Sequence, residues 1–184
     1  MSRVSAARHM STIYSFSAIC KKDARVLILG SMPGKESLRQ NRYYAHPRNS
    51  FWFIAGNLFG FDPALDYQER TGLLAGNGIA LWDVLKACDR KGSLDSAIDG
   101  PSVVANNFND FYASHPAIEF IFFNGARAEQ EYMKHVHSGV ADTFGHLQYK
   151  RLPSTSPAHA AMSRDDKLSI WQAVKDCLHS PLSR

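Results

Sequence analysis

Residues 43 to 52 read YYAHPRNSFW, which puts two phenols, the imidazole of His46 and the carboxamide of Asn49 into one short segment. Such groups can stack on a flat ligand, hold a water and move a proton near neutral pH. Each also has a plainer use. Asn is among the best helix N-caps, and Asn49 stands just before Ser50-Phe51-Trp52, the opening of an amphipathic pattern. His46 precedes Pro47 in an extended dipeptide, where it can simply bond a backbone carbonyl. Upstream, GSMPGKES (30–37) invites comparison with a phosphate-binding P-loop. It is one residue short between its glycines, and Glu36 stands where the hydroxyl is needed. No GxSxG elbow and no HExxH pair occurs, so serine hydrolase and zincin chemistry lack their first residue. His135 and His137, two apart in a helical pattern, point to different faces. The three cysteines, Cys20, Cys88 and Cys177, form no CxxC pair and are too few for a zinc ribbon or an iron–sulfur cluster.

These residues need a scaffold. Four apolar segments have the length and composition of buried strands: 25–29, Ile79–Asp83, 118–123 and 147–152, the last polar enough to be an edge. Between them lie helical patterns. Phe51, Ile54, Ala55 and Leu58 share a face, 126–137 is a second helix, and a terminal helix begins at Ser163, capped with Asp166, and stops at Ser180-Pro181. Strands alternating with helices imply a mostly parallel sheet covered on both sides. In such sheets ligands bind beyond the carboxyl ends of the strands. There the turn at Gly30–Gly34, Asp83, Asn124-Gly125 and PSTSPAH (153–159) should converge.

A chain of 184 residues, 45% apolar and 21% charged, suits one α/β domain over 21–184 behind a loosely ordered tail, 1–20. The net charge of +4 permits a polyanionic partner without requiring one. No membrane span or signal-peptide core is visible, so the expectation is a cytoplasmic monomer.

LILGSMPG, YYAHPRNSFW, LWDVLKACDRKGSLDSAI and LPSTSPAHA, in this order, resemble the uracil-DNA glycosylase superfamily, nearest its hypoxanthine-DNA (deoxyinosine) branch. The HPxNxFW part is also similar to the mismatch-specific uracil/thymine enzymes. The resemblance runs from about Tyr14 onward. It implies a three-layer α/β/α sandwich around a short, mostly parallel four-stranded sheet. It further implies a monofunctional DNA glycosylase that uses no metal or organic cofactor, binds DNA containing deaminated bases and extrudes the target nucleotide.

The residue roles it implies divide into holding, reading and breaking. Holding falls to PSTSPAH, with Ser154, Thr155, Ser156, Ala158 and His159 at the DNA, although the bulky Leu or Arg wedge of many relatives is absent. Reading falls to Tyr44, at the aromatic stacking position, and to Asp83, where uracil enzymes place an Asn. A carboxylate accepts the N–H of a lactam, which hypoxanthine and uracil present. Ser31, Met32 and Asn124 complete the base-binding set, with Asn124 alternatively capping the helix that follows it. For breaking the bond, relatives carry polar groups at the positions of Met32 and Leu152, which are apolar here. Asn49 and His46 then become the candidate catalytic pair. Competing readings are a uracil or G:T/G:U mismatch glycosylase, a catalytically silent glycosylase-fold DNA-binding protein, and a nucleotide or nucleoside hydrolase with no duplex partner.

Overall fold

The computed structural model describes residues 12–90 and 98–179. In chain order its elements are β1 (Thr12–Tyr14), β2 (Val26–Gly30), α1 (Lys35–Gln40), α2 (Phe51–Phe59), α3 (Tyr67–Gly76), β3 (Ile79–Asp83), β4 (Leu85–Asp89), β5 (Val104–Ala105), α4 (Phe108–Ser114), β6 (Phe120–Asn124), α5 (Ala126–His135), α6 (His137–Val140), β7 (Gln148–Leu152) and α7 (Arg164–His179). The main sheet is parallel, in the order β3-β2-β6-β7.

Every residue of β2, VLILG, is buried, as a central strand covered on both faces must be. Its side chains alternate between two cores. Val26 and Ile28 pack with Phe51, Ile54, Leu74 and Trp171 of α2, α3 and α7. Leu27 and Leu29 pack with Phe108, Phe111, Ala128 and Tyr132 of α4 and α5. The period of two along the strand therefore produces three layers. β7 is the polar edge expected from its sequence. At the start of α7, the Ser163 hydroxyl accepts from Asp166 N at 3.1 Å and donates to the Asp166 carboxylate at 2.7 Å.

A second, antiparallel sheet, β1-β4-β5, has no counterpart in the sequence reading. β4 is short, carries the exposed Lys86 and follows β3 after a single residue, while β5 has only two residues. Runs so short carry no usable periodicity. This sheet corrects the expected tail: from Thr12 the chain is ordered, pairing Ile13 with Cys88 and Tyr14 with Ala87. Ile19 then bridges Leu81 along the outer edge of β3. The earlier part of that tail and the expected stop at Ser180-Pro181 lie outside the described residues. The helix expected over 126–137 breaks at Val136, whose φ of −123° leaves the helical region as its side chain joins the core.

Candidate active site

The carboxyl ends of the parallel strands open into a cavity of about 650 Å³, within the range of small-molecule pockets. It is bordered by Ser31 and Met32 after β2, by Tyr44, His46 and Asn49 before α2, by Asp83 and Asn124 at the ends of β3 and β6, and by Ser154, Thr155, Ser156, Ala158 and His159 after β7. Every residue singled out for the site from the sequence thus borders one space. Leu152 does not; it is buried beside Phe122 and Trp171. The position is apolar because it faces the core.

At the floor, the buried Asp83 carboxylate accepts from the Ser15 hydroxyl at 2.7 Å. A Cβ on Gly30 would collide with Asp83 Oδ1 and press on the Tyr44 hydroxyl at 3.1 Å. Glycine is therefore required where β2 ends, because an acid and a phenol close over the bare backbone there. Tyr44 has a φ of +53°, uncommon for a residue with a side chain. Its ring stacks on Phe51 with centroids 4.2 Å apart, and this packing helps hold the strained backbone. Tyr43 is the core residue of the pair: its hydroxyl donates to carbonyls of Phe16 and Ser17, and its own carbonyl accepts from Trp52 Nε1 at 3.0 Å. Burial, reinforced by the charge of Asp83, pushes its phenol far above the ordinary range, so it stays protonated.

Asn49 Oδ1 accepts from Phe51 N at 2.9 Å, so Asn49 does cap the start of α2. The cap leaves its NH₂ group and one oxygen lone pair uncommitted among the described residues. His46 Nδ1 accepts from Arg48 N at 3.1 Å. An accepting Nδ1 carries no proton, so the neutral ring bears its hydrogen on Nε2 and is a donor there.

Asn124 borders the cavity but does not cap α5, whose N-cap is Gly125. Its Oδ1 accepts from Thr155 N at 2.8 Å and its Nδ2 donates to Thr155 Oγ1 at 2.9 Å. Each end of the carboxamide helps position the 153–159 loop and keeps one further N–H or lone pair. Thr155 is fully buried and its carbonyl accepts from Ser50 N at 3.0 Å. Thr155 therefore departs from its expected place at the DNA: its hydroxyl is sealed inside the loop's anchor. Ser154 and Ser156 accept from Ser156 N and Ala158 N, both at 3.2 Å, which leaves each hydroxyl hydrogen available to an incoming acceptor. Ala158 and His159 are exposed.

Four positioning residues were not anticipated. Ser15 holds Asp83. Arg90, buried, donates from Nη2 to the Pro33 carbonyl and fixes the turn after β2. On α7, Trp171 Nε1 donates to the Pro153 carbonyl at 3.0 Å and the buried Lys167 donates to the His159 carbonyl at 2.8 Å. One turn of helix thereby grips both ends of the 153–159 loop. The signal for Lys167 was present: it shares a face with Trp171 and Val174 at i, i+4, i+7, and a lysine at a core position needs a reason. Among the described residues, no three His, Cys, Asp or Glu side chains converge as metal ligands.

A three-layer α/β/α domain whose strand-end loops enclose a pocket, with an acid on its floor and a hydroxyl-bearing loop on its rim, is the arrangement that the resemblance to the DNA glycosylases implied. The chain belongs to the uracil DNA glycosylase superfamily, whose family model matches residues 16–176. It is 36% identical over 160 residues to a hypoxanthine DNA glycosylase of Methanosarcina acetivorans, covering 86% of this chain and 95% of the relative. It is 37% identical over 114 residues to a hypoxanthine DNA glycosylase of Methanosarcina barkeri, 61% of this chain and 71% of the relative. A solution NMR structure of a candidate uracil DNA glycosylase from Methanosarcina acetivorans superposes with a TM-score of 0.75 at 33% identity, covering 92% of this chain and all of that one.

Proposed function

We propose that the protein is a monofunctional DNA glycosylase that removes hypoxanthine from deoxyinosine by hydrolysis. The observation that carries this reading is the Asp83 carboxylate, held by Ser15 against Gly30 beside the Tyr44 hydroxyl. A fixed acceptor at the floor of a pocket selects a base that presents a ring N–H, and deamination of adenine creates that N–H. Two relatives that carry the hypoxanthine glycosylase name support the same substrate.

The target nucleotide leaves the stack and its base enters the cavity. Tyr44 lies along the base while Asp83 accepts its N1–H. The bond from C1′ to the base breaks with its electron pair moving to the base, and the sugar passes through an oxocarbenium-like state. His46 Nε2–H donates to the departing base. Asn49 holds a water with the polar groups that its cap leaves over; the water oxygen bonds to C1′ and its proton goes to solvent. Ser31 and the wall around Met32 shape the pocket. Ser154 and Ser156, with Ala158 and His159 at the exposed rim, contact the strand on either side.

Uracil presents an equivalent N–H, so cleavage of matched oligonucleotides containing hypoxanthine, uracil, xanthine or a G:T pair, followed by alkali, tests the assignment. Strand breakage concentrated at deoxyinosine is expected. Equal or preferential cleavage at uracil would replace hypoxanthine as the substrate, and no cleavage of any would leave a DNA-binding protein without the chemistry.

We further read the protein as a monomer of the reducing cytoplasm. No disulfide joins Cys20, Cys88 and Cys177, as suits a reducing compartment, and no helix among the described residues is long and apolar enough to cross a membrane.

A further inference from the structure

A second cavity of about 370 Å³ opens beside the first and shares Tyr43, Tyr44, His46 and Asn49 with it. Three arginines line it from three separate places: Arg42 between α1 and α2, Arg70 in α3 and Arg164 at the start of α7. Each lies against an aromatic ring. Arg70 is 4.8 Å from the centroid of Trp52 and 5.9 Å from that of Tyr67; Arg42 is 5.5 Å from Tyr67, and Arg164 is 5.6 Å from Phe53. Such contacts hold guanidinium groups in place while most of their N–H edge stays available.

Among the described residues none of the three forms an ion pair with a carboxylate. Arg70 Nη1 donates to the Pro63 carbonyl at 2.9 Å, and its buried Nε has no partner. Burial and the charge of Arg42 act against the Arg70 cation, and Tyr67 and Asp66 only partly offset them. Like charges gathered around one cleft repel, weakly where they are exposed to solvent, and an anion seated between them relieves that repulsion. By contrast, Arg25, Arg39, Arg127 and Arg151 each take a carboxylate partner, while the exposed Arg48, which borders the first cavity, takes none among the described residues.

We propose that this three-arginine cleft binds a backbone phosphate of the DNA strand next to the nucleotide whose base occupies the first cavity. The inference rests on the glycosylase reading of that first cavity. A planar fork of N–H donors matches phosphate oxygens better than any other side chain does. The shared wall of Tyr44, His46 and Asn49 makes the two cavities neighbours along one strand, so the cleft fixes the register of the strand while the first cavity reads its base. Inorganic phosphate or a free nucleotide offers the same oxygens, and the experiment must separate these sources.

Binding of the full chain to an undamaged duplex and to a deoxyinosine duplex is measured over a range of salt for wild type, Arg42→Gln, Arg164→Gln, Arg70→Gln and Arg70→Lys. Melting temperatures are taken with and without inorganic phosphate. Each loss of charge is expected to weaken binding to both duplexes about tenfold and to lower the magnitude of the salt slope by roughly one. Arg70→Lys should keep most of the slope, which separates charge from the packing that Arg70 gives Trp52. Unchanged slopes in folded variants overturn the proposal. Phosphate stabilising wild type but not the Gln variants, with slopes unchanged, also overturns it and makes the cleft a small-anion site. Hypoxanthine release is a separate readout, so its absence in wild type would remove the substrate reading without touching the slope measurement.

Discussion

The hydroxyl of Ser15 and the carboxylate of Asp83 meet at 2.7 Å, joining the chain just after β1 to the end of β3 across 68 positions of sequence. The contact turns the second sheet from decoration into a support for the pocket floor. β1 pairs with β4, which leaves Ser15 where its backbone N–H donates to the Lys86 carbonyl at 2.9 Å and its side chain faces the acid.

If Asp83 reads the ring N–H, Asp83→Asn exchanges a charged acceptor for a neutral amide and should lower single-turnover hypoxanthine release by about 10- to 100-fold. Ser15→Ala, which loosens the acid without removing it, should cost less. Gly30→Ala should resemble Asp83→Asn because its methyl displaces the carboxylate. Wild-type rates from all three variants would place base recognition elsewhere.

Asn49 caps α2 and is also assigned the water, and two substitutions separate the roles. Asn49→Asp keeps the oxygen that accepts from Phe51 N but loses the NH₂ donors; Asn49→Ala loses both. The aspartate variant should melt close to wild type yet release base slowly, whereas the alanine variant should lose about 1 kcal/mol of stability as well. Full turnover by Asn49→Asp and Asn49→Ala would reduce the residue to a cap.

Asn124 and Thr155 act as one unit, so their substitutions should not add. Asn124→Ala leaves a buried hydroxyl and N–H without partners and should cost about 1 to 3 kcal/mol. In a double-mutant cycle with Thr155→Val, the interaction energy should exceed about 0.5 kcal/mol. Additive losses would mean that the loop is anchored by other contacts.

Lys167 gives a pH test. Burial pushes its ammonium below the usual lysine value of 10.5. Between the folded and unfolded pKa values the unfolded chain binds the additional proton, so the stability of wild type rises with pH through that window. Below the window the charged, buried group is a standing cost. Lys167→Met removes that cost and also the hydrogen bond to His159, and at pH 7 it should melt at or above wild type, with the difference shrinking as pH approaches 10.5. Base release should fall several-fold, because one end of the 153–159 loop is released; unchanged release in a stable variant would show that the tether is dispensable.

Much of the architecture was legible locally. Unbroken apolar runs marked the parallel strands, the period of three to four marked α2, and Ser163 with Asp166 marked the start of α7. Once the strands are parallel, the rule that ligands sit beyond their carboxyl ends brings the turn after β2, Asp83, Asn124 and the 153–159 loop together. The residue types at those ends were therefore readable as a pocket before any coordinates.

The duties within the pocket were not readable in the same way. Asn124 was read as touching a base or capping the helix after it, and its bonds to Thr155, within 3 Å at both ends of the carboxamide, are a third use that no local pattern announces. Ser15, Arg90, Lys167 and the arginine cleft likewise depend on partners far away in sequence. Periodicity is a property of adjacent residues, and so it survives in the linear string. A hydrogen bond between distant groups depends on distance and angle, which exist only after the layers have packed.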